Sequence, residues 1–278
     1  MISSSATTSK GRAMFNVMRR QLERNWIFLF VVMLLLAAFE FVLCAVVASM
    51  DVETALSQIT AFAPPLVRAM IEQNMAGGSP AAVLSFGWNH PIAHALLTAV
   101  AITLSARAIA GEIETGAIEL VLAQPISRAQ YFAAQVLFGA GALSVVLVGG
   151  LLGTALGEQV FALNAFGPAR FAMLFLNAFL LQFAIYALTL AASAFGRESG
   201  RVALFGVLVA VLSLIVNVVG ALWRKAEFAK PLSLHNYFDP RDILTQGHLP
   251  ASSVVVLAVV AVVAIAVAFT RFARRDLP

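Results

Sequence analysis

The chain has 278 residues, of which 61% are hydrophobic and only 12% charged, and its mean hydropathy is +0.91. Soluble domains are about half apolar and a quarter charged, so these figures exclude a disordered chain, a disulfide scaffold and an ordinary cytosolic enzyme. The net charge of +4 does not point to nucleic acid, because most arginines flank apolar runs, as they do where they orient membrane helices. The single Cys44 excludes an intrachain disulfide. An all-α membrane protein remains.

Residues 1–12 read as a disordered Ser/Thr-rich tail. Ala13–Asn25 follows as a short surface helix, with Met14, Val17, Met18 and Leu22 on one face and Arg19, Arg20, Glu23 and Arg24 on the other. The next apolar run is too long for a signal peptide and lacks a small-residue cleavage site. A helix crossing ~30 Å of hydrocarbon needs about 20 apolar residues. Six stretches meet that length: Trp26–Ala48, Pro91–Ala110, Phe132–Leu156, Phe171–Phe195, Val202–Leu222 and Ser252–Phe272. With the N-terminus inside, the inner side carries twelve Lys or Arg and the outer side six, the direction of the positive-inside rule. Both termini are therefore expected in the cytoplasm. The scarcity of Lys beside Arg, with abundant Ala and Gly, fits a GC-rich bacterial genome and hence a bacterial inner membrane. The outer segments are Asp51–His90, with a short helix at Leu66–Met75, then Glu158–Arg170 and Trp223–Ala251. No second domain or internal repeat is visible.

Between the second and third spans runs GEIETGAIELVLAQPISR, Gly111 to Arg128. Ile113, Ala117, Ile118, Leu120, Val121 and Leu122 recur at helical spacing, opposed by Glu112, Glu114 and Glu119. The spacing predicts an amphipathic helix over Gly111–Gln124. Pro125 ends it, because the residue before a proline avoids the helical region. Ser127 stands where it can cap the third span, with Arg128 at its start. By physics alone this is either an interfacial loop helix or an element that a partner can push.

The string G-E-x-E-x-G-x-I-E-x-x-L-x-x-P-I-S-R resembles the signature of type-2 ABC exporter permeases, membrane subunits that pair with a separate ATPase. The resemblance implies that this stretch is the cytoplasmic coupling helix, seated in a cleft of the ATPase. By position, Glu112, Glu114, Gly116, Glu119, Pro125, Ser127 and Arg128 carry it. Ala13–Asn25 is similar to the family's N-terminal connecting helix, Ser233–Pro240 to its polar stretch before the last span, and Phe272–Leu277 to its usual ending. The implied partners are a cognate ABC ATPase subunit, a second permease copy (identical or not) and the lipid bilayer. ATP and Mg would bind on the ATPase. This chain has no G-x-x-x-x-G-K-[S/T] loop and no catalytic serine or metalloprotease motif, so no cofactor and no enzymatic activity are expected of it.

Other residues carry open alternatives. Gly149, Gly153 and Gly157 form a small-residue ridge that suits either packing within one chain or a dimer interface. Glu40, the carboxylate well inside a span, could face a substrate path or lie packed and hydrogen-bonded. Asn177, Gln182, Tyr186 and Thr189 give the fourth span a polar line, and Asn217 lies in the fifth. Such side chains act as interhelical glue at ~0.6 kcal/mol each, or line a pathway. Glu40, Gln182, Tyr186 and Asn217 are the tentative pathway residues. His90 and His94 are four apart but lack a third ligand at fixed spacing, so they are weak metal candidates and no metal is expected. The rival readings are an inner-membrane assembly or scaffold protein, for instance in metal-site maturation, and a secondary transporter without an ATPase.

Overall fold

The computed structural model describes residues 3–49, 60–64, 68, 79–122, 126–163 and 166–276. The helices are α1 (Ser3–Ser49), α2 (Pro80–Trp88), α3 (Pro91–Ala106), α4 (Glu112–Glu114), α5 (Ala117–Leu122), α6 (Arg128–Val160), α7 (Pro168–Phe195), α8 (Ser199–Leu222) and α9 (Ala251–Ala273). A π-helical turn, Arg107–Gly111, joins α3 to α4. Two 3-10 segments, Arg224–Leu232 and Leu234–Tyr237, and a π turn, Asp242–Gln246, link α8 to α9. Among the described residues there is no strand.

Among the described residues, six stretches are long and apolar enough to cross a membrane: Ala13–Ser49, Pro80–Glu114, Arg128–Val160, Pro168–Phe195, Ser199–Leu222 and Ala251–Ala273. They contain the six expected spans and lengthen most of them. The largest changes fall at the first two. Ala13–Asn25 is not a separate surface helix. With no Pro or Gly between Ala13 and Ser49 to break it, the helix runs on into the span, and it is already helical from Ser3 where a disordered tail was expected. The second span starts earlier, because Pro80–Trp88, expected in an outer segment, forms α2. Ser79 caps it, accepting from the Ala82 N–H at 3.2 Å, and Pro80 sits at the first position, where a missing N–H costs nothing. The expected helix at Leu66–Met75 lies, except for Arg68, outside the described residues.

Caps explain the other helix starts. His90 caps α3 through Nδ1, which accepts from the Ile92 N–H at 3.2 Å, with Pro91 following. Ser127 caps α6 in a reciprocal box with Gln130 at 3.2 and 2.9 Å. The chain thus alternates between two ends. The near end gathers Arg20, Glu112, Ser127, Phe195, Ser199 and Arg275, and the far end gathers α2, the loop after α6 and the α8–α9 link.

The centre is built on α7, which packs against α3, α6, α8 and α9, while α1 lies along α6. Leu174, Leu181, Ile185, Tyr186 and Leu190 of α7 are fully buried. The glycine ridge of α6 serves the α1 contact: a Cβ on Gly149 would meet Met33, one on Gly153 the Ala37 backbone, and one on Gly157 the Cys44 Cβ at 2.5 Å. Small residues let the two backbones approach, so the ridge packs within the chain.

Candidate coupling site

The site is built at the near end, around the path from α3 to α6. α3 does not end cleanly; it widens into the π turn Arg107–Gly111, which frees backbone groups from the normal helical ladder. Ser193 of α7 satisfies them. Its hydroxyl accepts from the N–H groups of Ala110 at 2.9 Å and Ile109 at 3.3 Å, and donates to the Ala106 carbonyl at 3.1 Å. The Tyr131 hydroxyl of α6 donates to the Ala108 carbonyl at 2.5 Å. The turn is thereby clamped between α6 and α7.

The expected single amphipathic helix over Gly111–Gln124 is two short pieces. The Thr115 hydroxyl turns back to the Gly111 carbonyl at 2.9 Å, and Gly116 adopts a left-handed conformation at φ 69°. That conformation ends α4 and re-aims the chain into α5, and glycine takes it without a Cβ penalty. Ile118 is fully buried and Glu119 exposed, as the pattern predicts. Glu112 departs from the pattern: it is 2% exposed instead of lying on the solvent face. Two arginines of α1 draw it in, Arg20 at 3.3 Å to Oε2 and Arg24 to Oε1. Periodicity along one segment cannot reveal a partner 88 residues away.

Glu114 is bound by Ser199 at the start of α8, from its backbone N–H at 2.8 Å and its hydroxyl at 2.6 Å. Arg128 sits at the start of α6, as expected, but its guanidinium is directed at the chain's own tail. It donates to the carbonyls of Phe272 at 3.5 Å, Ala273 at 3.0 Å and Arg275 at 2.7 Å, in the last turn of α9 and just past it, where carbonyls lack helical partners. Arg275 in turn donates to the Ala194 carbonyl at 2.8 Å. Burial, and then the charges of Arg271 and Arg197, hold the Arg275 guanidinium below its usual pKa. Pro125 lies outside the described residues.

Between α3 and α8 lies a groove of about 440 Å³ lined by Ala95, Thr98, Ala99, Thr103, Ala203 and Ala210, among others. The tentative pathway residues stand elsewhere. Gln182 is buried and accepts from the Thr98 hydroxyl at 3.1 Å, behind the groove wall. Tyr186 is buried and donates to the Gln135 carbonyl at 2.8 Å. Glu40 is fully buried between α1, α2 and α6, with the Thr154 hydroxyl at 3.4 Å and the Trp88 indole N–H at 3.3 Å from that same hydroxyl. Asn217 is half-buried on α8. Asn177 holds the far end, donating to the Tyr237 carbonyl at 2.8 Å and accepting from the Asp239 N–H at 3.2 Å.

The two weak metal candidates point to different tasks. His90 uses Nδ1 as a helix cap, and the His94 Nε2 meets Asn89 at 3.2 Å with its ring against His235 at 5.0 Å. Among the described residues no three His, Cys, Asp or Glu are gathered for a metal. Ser193, Ser199, Arg20 and Arg24 escape a motif-based reading altogether. Only the position of Ser199 at a helix start, just after Glu198, hints at a role.

No curated protein matches the chain. A family model described as "ABC-2 family transporter protein" matches residues 18–277, from α1 to the tail that Arg128 holds, and the chain therefore belongs to that family of ABC transporter membrane components.

Proposed function

We propose that this chain is the permease subunit of an ATP-driven exporter, in which the segment Arg107–Arg128 receives the stroke of a separate ATPase subunit. The observation that carries the reading is that both walls of the α3–α8 groove hang from this segment. α3 continues into it covalently through the π turn, and the first residue of α8 is held by Glu114. Pressure on α5 acts on Gly116, whose conformation sets the angle between α4 and α5, and passes to α3 through the backbone and to α8 through Ser199. The pair Arg20 and Arg24 carries the same movement to α1. Glu119, exposed on α5, is the residue of the motif best able to touch a partner.

In the working complex, two permease copies face each other with their α3–α8 grooves forming the pathway. Two ATPases bind ATP and Mg, close on them, and push the two segments together. The near end is cytoplasmic, and the membrane is the bacterial inner membrane. Occupancy of the groove changes ATPase affinity in return, since coupling between sites is reciprocal.

The test is purification of the tagged chain from native membranes in mild detergent, with the co-purifying chains identified and ATPase activity assayed. A co-purifying ABC ATPase that is lost or uncoupled in Glu119→Arg supports the reading. A folded, dimeric chain that carries no ATPase defeats it.

A further inference from the structure

Outside the α3–α8 groove, a long concavity runs along the outer face of α1 and α6. It has two stretches. One, of about 560 Å³, is lined by Phe15, Arg19, Leu22, Trp26, Met33 and Val145, among others; the second, of about 600 Å³, continues from Met33 and Val145 toward Leu156. The shared residues make the two one furrow. Among the described residues its walls are apolar but for Ser144, whose hydroxyl is taken up by the Ala140 carbonyl at 2.8 Å, and Arg19, the one charged side chain, at the near end.

We propose that the near half of this furrow holds a resident anionic phospholipid, its headgroup at Arg19 and one acyl chain laid along α1 toward Met33. Length supports this. Leu22 to Met33 is eleven residues, which at 1.5 Å each rise about 16 Å, roughly one leaflet of a ~30 Å hydrocarbon core. Trp26 lies about two turns inside Arg19, placing its indole beneath the headgroup. Charge supports it too. Among the described residues, Arg19 pairs with Glu23 and Arg20 and Arg24 with the buried Glu112, three positive charges against two negative.

A second copy of the chain fits the furrow less well. A two-fold axis along the membrane normal sets residues of equal depth opposite one another, so a dimer closed through this furrow would bring Arg19 against Arg19. The lipid instead offers the opposite charge. It also covers the exposed Leu22, Trp26 and Phe30 with the chain type that the bilayer supplies.

The test reads Trp26 fluorescence as the difference between the parent chain and Trp26→Phe, in vesicles containing phosphatidylglycerol or phosphatidylcholine with brominated acyl chains. Brominated phosphatidylglycerol is expected to quench at a mole fraction roughly fivefold lower than brominated phosphatidylcholine, the weight of one basic residue beside an anionic leaflet. Arg19→Gln and Arg19→Glu are each expected to remove that preference. Equal quenching by the two lipids, or a preference that survives both variants, overturns the site. Absence of quenching overturns it as well. A disulfide formed between copies through Val145→Cys would then identify the occupant as protein.

Discussion

Glu114 and Ser199 are joined twice, by a backbone N–H at 2.8 Å and a hydroxyl at 2.6 Å, across 85 residues of chain. The bond ties the end of α4 to the first turn of α8. A carboxylate at a helix N-terminus satisfies an orphan N–H and faces the positive end of the dipole, so the geometry is favourable on both counts. It adds a charged hydrogen bond to the apolar contact that Ala110 of the coupling segment makes with Val202 of α8. Ser199→Ala removes one of the two bonds and Glu114→Ala both. Glu114→Ala is expected to lower transport per ATP roughly five- to tenfold, the low end of the range for allosteric coupling, with ATPase binding retained. Ser199→Ala should fall between it and the parent. Transport and hydrolysis measured together in reconstituted vesicles decide the matter. Equal ratios in all three chains would remove α8 from the coupling path.

Glu112 has two arginine partners, and its burial makes them redundant up to a point. Either Arg20 or Arg24 alone can neutralise it; without both, a carboxylate 2% exposed is left uncompensated. Removing a buried ion's partner costs about 3–5 kcal/mol, whereas removing one of two shared partners costs much less. Arg20→Gln and Arg24→Gln should therefore each lower the melting temperature modestly, and the double variant by more than their sum. Thermal unfolding in detergent, followed by size exclusion, measures it. Simple additivity would mean that Glu112 is stabilised by something other than these arginines.

The two glycines Gly153 and Gly141 of α6 make a matched pair. A Cβ on Gly153 would run into the backbone of Ala37, which cannot swing aside as a side chain can. Gly153→Ala is expected to cost about 1–3 kcal/mol by overpacking. Gly141 has nothing within 4 Å of its would-be Cβ, so Gly141→Ala should stabilise the helix by about 0.5–1 kcal/mol. Melting temperatures of the two variants should move in opposite directions.

The spans are readable in the sequence because twenty apolar residues have few other uses, and the small-residue ridge because its four-residue spacing stays on one helix face. Ser127 as a cap is readable because capping is local. What escapes is non-local or too short. Pro80–Trp88 is a nine-residue helix, below the length that reads as a span, although Ser79 and Pro80 announce its start. Glu112 is polar and falls on the polar stripe, so nothing nearby tells of the arginines that bury it. The π turn leaves no local trace, since its extra bonds come from Ser193 on another helix. Gly116 does carry a signal: a glycine after Thr115 within a helical pattern is a candidate break, and it breaks there.

At the far end, His235 is buried against His94, and its Nδ1 lies 2.8 Å from the Ser213 hydroxyl. Burial first, and the neighbouring His94 second, lower its pKa to about 3 from 6.5. The folded chain therefore refuses a proton that the unfolded chain accepts. Stability from this residue is complete above pH 6.5 and is lost as pH falls toward 3, at 1.36 kcal/mol per unit. Between pH 7 and pH 5 the loss should be about 2 kcal/mol, and His235→Asn should flatten that slope. Melting curves at the two pH values test it.

Glu119 and Arg128 belong to one motif but hold opposite positions in the structure, and reversing their charges should separate contact with a partner from integrity of the fold. Glu119 is exposed on α5, so Glu119→Arg should leave stability within about 0.5 kcal/mol of the parent, the usual range for surface changes, and the melting temperature nearly unchanged. Arg128 is committed to three carbonyls at the end of α9. Arg128→Glu would set a carboxylate against them and against the negative end of the α9 dipole, where a cation had been. Charged hydrogen bonds contribute about 1.5–3 kcal/mol, so a destabilisation of at least that size is expected, with the tail from Phe272 released to protease. A chain that loses coupling but keeps its melting temperature in Arg128→Glu would show that the tail contacts are dispensable, and that Arg128, like Glu119, acts on a partner.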